Sequence, residues 1–316
     1  MATQQSLSGN VLSNVLKSPG ANWRRQPKTS GHAKPPRPTH FLCLPLGHHS
    51  ELQERVKQFH STLLEGPVEG LDPSILIKPR RLHLTLGVMS LASSSPKSAG
   101  YDSTASPPVH TIDSALQLLR SLQPKLSLLS STGQRGTLCA SLERVGAFES
   151  NHGARVLWVS PREDEGWSES EEEVQERLKL VQVAGCVLRM INDNVRSPQA
   201  AETIHQTFRN AGYITDNRPL KLHCTLINTS HRKPSSKVPK LFSYADVLAS
   251  KALSVLQPSA EGSYSPPNST DRLARVSLGT YDIPEIQLCA MGSHGPEDEY
   301  ISLGGVGFMQ EGTFVN

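Results

Sequence analysis

One six-residue phrase occurs twice in this chain, as Arg81-Leu82-His83-Leu84-Thr85-Leu86 and as Lys221-Leu222-His223-Cys224-Thr225-Leu226. Both copies read basic, Leu, His, apolar, Thr, Leu. Side chains of an extended strand alternate between its faces, so each copy sets His and Thr together on one face and its apolar residues on the other. The repetition predicts two similar halves, each contributing one such half-buried strand.

His-x-Thr is a short pattern and needs a background. With 12 His and 17 Thr in 316 residues, about 0.6 such triplets are expected by chance, and four occur. The other two, His60-Ser61-Thr62 and His205-Gln206-Thr207, lie in stretches whose apolar spacing is helical. Residues two apart do not share a helix face, so neither aims both groups at one ligand. They serve as internal controls for the pair at His83 and His223.

Two strands facing one cleft present two imidazoles and two hydroxyls. Imidazole titrates near neutrality, so one ring removes a proton from an attacking hydroxyl or water while the other protonates the leaving oxygen. Thr85 and Thr225 are placed to donate to nonbridging phosphate oxygens, where charge builds in the transition state. This is metal-free acid/base chemistry suited to a phosphodiester. Arg81 and Lys221, two residues before each His, share its face on a strand and are candidates for holding an anionic substrate, against the alternative that they face solvent. Phe148 and Tyr213 are candidates for stacking on a base, against the alternative that they pack in the core. Asp282 and Glu285 are candidates for orienting a histidine.

The rest of the composition narrows the classes. No Cys-x-x-Cys, His-Glu-x-x-His or Walker-type loop is present, so no metal, nucleoside-triphosphate site or other cofactor is predicted. No run of about 18 apolar residues occurs, which argues against a membrane span. The five cysteines, Cys43, Cys139, Cys186, Cys224 and Cys289, are scattered in apolar surroundings and read as reduced thiols of an intracellular protein. The net charge of +3 is uneven, because residues 1–38 carry six basic side chains and no acidic one. That arm reads as a solvated tail, a contact for RNA phosphates or a transit peptide, which leaves nucleus, cytoplasm and mitochondrion open.

Along the chain, residues 39–46 read as a strand and Ser50 as the N-cap of a helix carrying Leu52, Val56, Phe59 and Leu63. Strand structure is expected over 75–91, ending at the first motif, then a helix over 111–122. A hairpin is expected from 137–145 and 155–159, joined through Gly146-Ala147-Phe148 and a polar turn at Asn151 to Gly153. Helical segments at 174–192 and 200–210 are broken near Pro198, and Gly212-Tyr213-Ile214 then leads into the second motif strand, which ends near Thr229. A helix over 243–256 and strands at 286–291 and 300–308 close the chain. Low-complexity insertions are expected at about 92–109, 161–172, 231–242 and 258–270. The result is a basic tail, 1–38, and one α+β domain, 39–316, with two small sheets backed by helices around a central cleft.

The paired motifs, with the strand Phe41-Leu42-Cys43-Leu44-Pro45-Leu46, the Gly146-Ala147-Phe148 segment, the Phe208 to Gly212 helix end and the closing Ile286 to Met291 strand, resemble the 2H phosphoesterase superfamily, which includes 2′-5′ RNA ligase-like proteins. Within it the similarity is to the branch holding the phosphoesterase-like domains of A-kinase anchoring protein 7 and of activating signal cointegrator complex subunit 1. The resemblance covers about residues 39–308. It implies a bilobal, pseudo-two-fold, LigT-like fold and a metal-independent phosphodiesterase acting on 2′,3′-cyclic or 2′-5′ linkages of RNA, oligonucleotides or mononucleotides. His83, Thr85, His223 and Thr225 carry over by position. Nuclear location and partnership with transcription or repair complexes follow from the resemblance alone, and no RNA-binding KH segment with its Gly-x-x-Gly loop precedes the domain. A non-catalytic RNA- or nucleotide-binding module is the competing reading, and ligation, the same chemistry reversed, stays open.

Overall fold

The seam of the molecule is a single residue pair, Leu84 opposite Cys224, where the two motif strands meet antiparallel. A computed structural model describes residues 37–92, 110–130, 138–161, 188–257 and 273–308, with no side chains considered for 127–130 and 188–197. Most of the tail, residues 93–109 and 162–172 of two insertions, the insertion at 258–270, the acidic run from Glu163 to Glu173, Cys186 and residues 174–187 of the first expected helical segment lie outside the described residues.

Among the described residues nine strands form one antiparallel sheet: β1 (His40–Pro45), β2 (His83–Met89), β3 (Leu138–Ser150), β4 (Gly153–Pro161), β5 (Cys224–Asn228), β6 (Ala274–Arg275), β7 (Thr280–Ile283), β8 (Glu285–Ala290) and β9 (Ser302–Gly307). Their order is β6-β3-β4-β5-β2-β1-β8-β9, with β7 also on β3. The seam between β5 and β2 divides this into matching halves: β2, β1, β8, β9 on one side and β5, β4, β3, β6 on the other. The two expected sheets are these halves, joined at the motifs, and the pseudo-two-fold α+β arrangement follows.

Helices α1 (Ser50–Glu65), α2 (Ile112–Ser121), α3 (Gln123–Ser130), α4 (Leu188–Asn210), α5 (Tyr244–Ala249) and α6 (Ala252–Val255) accompany the sheet. The expected apolar stripe of α1, Leu52, Val56, Phe59 and Leu63, is fully buried. Its N-cap is His49 and not Ser50, with no side-chain cap bond; the His49 ring instead reaches the Asp282 carbonyl at 2.8 Å. α2 begins with a reciprocal bond pair between Thr111 and Ser114, which satisfies its first amides. α4 runs through Pro198 without ending there, anchored by buried Ala200, Ala201, Ile204 and Phe208.

Three strand expectations and one helix expectation change. Residues 75–82 are not strand: Pro73 and Pro79 each open a 3-10 turn, Pro73–Ile75 and Pro79–Arg81, so β2 starts at the motif. The second motif strand is likewise short, beginning inside its motif at Cys224 and ending at Asn228. Gly146-Ala147-Phe148 does not connect two strands but continues β3, and the reversal falls at Asn151-His152, with Gly153 at φ 129°. The 243–256 helix is two helices parted at Ser250. β6 and β7 escape sequence reading because two- and four-residue strands carry almost no periodicity.

Residues 231–242 are described and tied down: Arg232 donates to the Lys240 carbonyl at 3.3 Å and also to the Gly70 carbonyl, and buried Phe242 exchanges main-chain bonds with Ala154. One continuous core lies behind the motif strands, where Leu82, Leu84, Leu86, Leu222, Cys224 and Leu226 are buried while His83, Thr85, His223 and Thr225 are half-buried on the opposite face.

Candidate active site

With Leu84 opposite Cys224, antiparallel register sets His83 across from Thr225 and Thr85 across from His223. The four residues of the two motifs therefore form one diagonal quartet on the open face of the seam. Each ring is held the same way: His83 Nδ1 donates to the Arg81 carbonyl and His223 Nδ1 to the Lys221 carbonyl, both at 2.7 Å. A protonated Nδ1 leaves Nε2 as the basic edge of each neutral imidazole. The orienting groups are thus main-chain carbonyls. Asp282 instead accepts from the Cys139 thiol at 3.1 Å and Glu285 from the Gln287 amide at 2.7 Å. The hydroxyls of Thr85 and Thr225 have no hydrogen-bond partner among the described residues and are available to a ligand.

Burial lowers the pKa of both rings. His83 falls to about 4, chiefly by desolvation and further by the charges of His223 and Arg81, against the opposing pull of its carbonyl bond. His223 is lowered by burial and by Lys221. Both rings are therefore neutral near pH 7.

The surroundings repeat as well. His83 lies between Phe41, 5.0 Å away, and Tyr300, 5.4 Å away and edge-on; His223 lies between Phe148 at 5.1 Å and Trp158 at 6.2 Å. The basic residue of each motif sits over one of these walls, the Arg81 guanidinium 4.1 Å from the Tyr300 centroid and the Lys221 ammonium 4.4 Å from that of Trp158. The pair differs in exposure. Lys221 is exposed, whereas Arg81 is 7% exposed, donates to the Ser293 carbonyl and pairs with Asp298 at 3.8 Å. Arg81 ends a 3-10 turn and not a strand, and it lines the hollow that holds His83.

Two hollows adjoin at the quartet. One of about 860 Å³ holds His83 with Cys43, Tyr300 and the carboxylates of Glu285 and Glu299. The other, about 690 Å³, holds Thr85, His223, Phe148, Lys221 and Arg218. Phe148, 39% exposed, lines this second hollow. Tyr213 does not line either one: its ring stacks 4.1 Å from His110 and its hydroxyl donates to Ser114 at 2.8 Å. Trp158 and Tyr300 are the residues that sequence reasoning missed, since a wall built from a neighbouring strand or a distant loop leaves no local pattern. Among the described residues no group of three His, Cys, Asp or Glu side chains is placed to hold a metal ion, and no helix is long and apolar enough to cross a membrane.

The family model of the AKAP7 2′5′ RNA ligase-like domain matches residues 38–308. The chain belongs to this family. Solved structures similar to it include Escherichia coli LigT complexed with 3′-AMP, 15% identical over 86% of this chain and 99% of that one at a TM-score of 0.39. A phosphoesterase is 16% identical over 87% and 100%, at a TM-score of 0.39. TT0787 of Thermus thermophilus is 14% identical over 86% and 99%, at a TM-score of 0.37. With TM-scores this low the assignment rests on the family match. The chain matches none of the curated protein sequences.

Two expectations follow for this RNA ligase-like domain. Gly146 lies directly across from Trp158, and a Cβ there would meet the indole at 2.5 Å. Gly146→Ala pushes the wall of His223 aside and costs about 1–3 kcal/mol, measured by urea unfolding, as overpacking does. The second concerns acid. His60 and His83 both titrate near 4 in the folded protein, below the 6.5 of the free ring. Depressed histidines bind more protons unfolded than folded, so stability is present above about 6.5 and drains away as pH falls toward about 4. Melting temperatures across that window decline in the native protein and decline less in His60→Gln.

Proposed function

We propose that the protein is a metal-independent phosphodiesterase that opens 2′,3′-cyclic or cleaves 2′-5′ phosphodiesters in RNA or oligonucleotides. The observation that carries this is the quartet: two imidazoles with their Nδ1 atoms locked on main-chain carbonyls and their Nε2 edges free, each opposite a threonine with an unengaged hydroxyl. His83, the more depressed ring, is the base and takes the proton of the attacking water or ribose hydroxyl. The negative phosphodiester raises the proton affinity of His223, which then donates to the leaving oxygen. Thr85 and Thr225 donate to the nonbridging oxygens as charge accumulates. Lys221 and the exposed Phe148 beside His223 are the groups assigned to the anionic backbone and a base. The family match supports RNA as the substrate class and the nucleus as the compartment.

The test is turnover of short oligoribonucleotides with 2′,3′-cyclic ends or 2′-5′ linkages in EDTA, by native protein and by His83→Ala and His223→Ala. Cleavage that survives EDTA and disappears in both variants is the expected result. Binding without turnover would replace the enzyme with a recognition module.

A further inference from the structure

The two helical His-x-Thr triplets, unused by the site, turn out to touch it from behind, and in the same way. His60 on α1 donates from Nε2 to the Leu226 carbonyl at 3.1 Å, and His205 on α4 donates from Nδ1 to the Leu86 carbonyl at 2.7 Å. Leu86 and Leu226 are the closing residues of the two motifs. Each is also the residue that the outer neighbouring strand skips. Cys43 pairs with Thr85 and Leu42 with Gly87, passing over Leu86; Trp158 pairs with Thr225 and Leu157 with Ile227, passing over Leu226.

A bulge of this kind leaves its extra residue out of the ladder and re-aims the side chains beside it. A buried carbonyl without a partner is costly, so the freed group must be satisfied from elsewhere. In both halves an imidazole from a helix supplies part of that, and at Leu226 the Ile77 amide adds a second bond of 2.9 Å. The arrangement crosses over: the helix before the first motif holds the second motif's strand, and the helix before the second motif holds the first's. Both rings are buried, at 7% and 4% exposure, and Thr207 takes no part, since it back-bonds to the Thr203 carbonyl within its own helix.

We propose that His60 and His205 are positioning residues, crosswise braces that hold the bulge after Thr85 and after Thr225 and so set the spacing of the two His-Thr pairs. The seam needs such braces because, among the described residues, β2 and β5 share a single ladder pair, and the chain ahead of β2 adds only the Leu76–Ile227 bridge and the Ile77 amide bond. The catalytic consequence rests on the function proposed above; the brace itself is a matter of geometry.

Four variants test it. His60→Leu and His205→Leu fill the space but donate nothing, whereas His60→Gln and His205→Asn return an N–H at the position of the donating ring nitrogen. Two measurements are made on each, beside melting temperatures: the imidazole NMR signals of His83 and His223, and kcat and KM on a 2′,3′-cyclic oligoribonucleotide. In the Leu variants the imidazole signals shift and kcat falls about 10- to 100-fold with KM much less affected, as small misplacements of reacting groups do. The amide variants recover most of kcat and the native signals even where their melting temperatures match the Leu variants. Native signals and kcat in the Leu variants, or amide variants as impaired as the Leu ones, overturn the proposal. Should a Leu variant fail to fold, near-native signals in the Gln and Asn variants are still required. If the native protein shows no turnover, the proposed reaction falls, and the imidazole signals alone decide the brace.

Discussion

His83→Ala and His223→Ala each lower turnover of a cyclic-ended oligoribonucleotide by about 10²- to 10⁴-fold, the usual worth of a positioned acid or base. The double variant is little slower than either single one, because an acid without its base, or the reverse, has already lost the concerted transfer. The pH dependence discriminates further. A base with its pKa near 4 and an acid below 6.5 place the maximum of kcat/KM between those values, on the acidic side of an ordinary histidine pair. Phosphate analogues that add negative charge at the quartet raise both values, so the profile of kcat, which reports the bound state, lies at higher pH than that of kcat/KM. A flat profile, or full activity in either variant, ends the two-histidine scheme.

The second large effect separates two residues that the motif makes equivalent. Arg81→Ala costs about 3–5 kcal/mol in urea unfolding, being the loss of a desolvated cation-π contact and of hydrogen bonds from a charged donor. The same change releases Tyr300 and the loop behind His83, so kcat falls too. Lys221→Ala costs only about 0.5–1 kcal/mol, since its ammonium is exposed. Its effect is on substrate: KM rises, and the salt dependence of KM weakens, as expected when a solvent-facing cation that attracts the phosphate is removed. Equal losses of stability in the two variants would contradict the asymmetry of burial described above.

Legibility differed from element to element. α1 was readable because Leu52, Val56, Phe59 and Leu63 repeat at the spacing of one helix face, and that face is the one buried. The motif strands were readable from alternation, yet their starts were not. Pro79 carries the chain through a tight turn up to Arg81, and the residues before Cys224 run without strand pairing, so alternation carried past the strand misplaced where each strand begins. Gly146 suggested a turn, whereas it is small because the Trp158 ring lies across it within a continuous strand. Phe148 and Tyr213 had equal claims as bare aromatics; only packing distinguished a ring beside His223 from one held by His110 and Ser114.

What the sequence determined by itself was local and repeated: the identity of the four motif residues, the face they share, and the existence of two similar halves. These follow from backbone periodicity, which acts over a few residues and is written in their order. What the tertiary structure decided was everything that depends on contact between distant segments. The pairing of Leu84 with Cys224 chose which His faces which Thr, the walls of Tyr300 and Trp158 came from elsewhere in the chain, and burial pulled both imidazoles below their free values. Desolvation and register are properties of the assembled core, and no stretch of sequence specifies them alone.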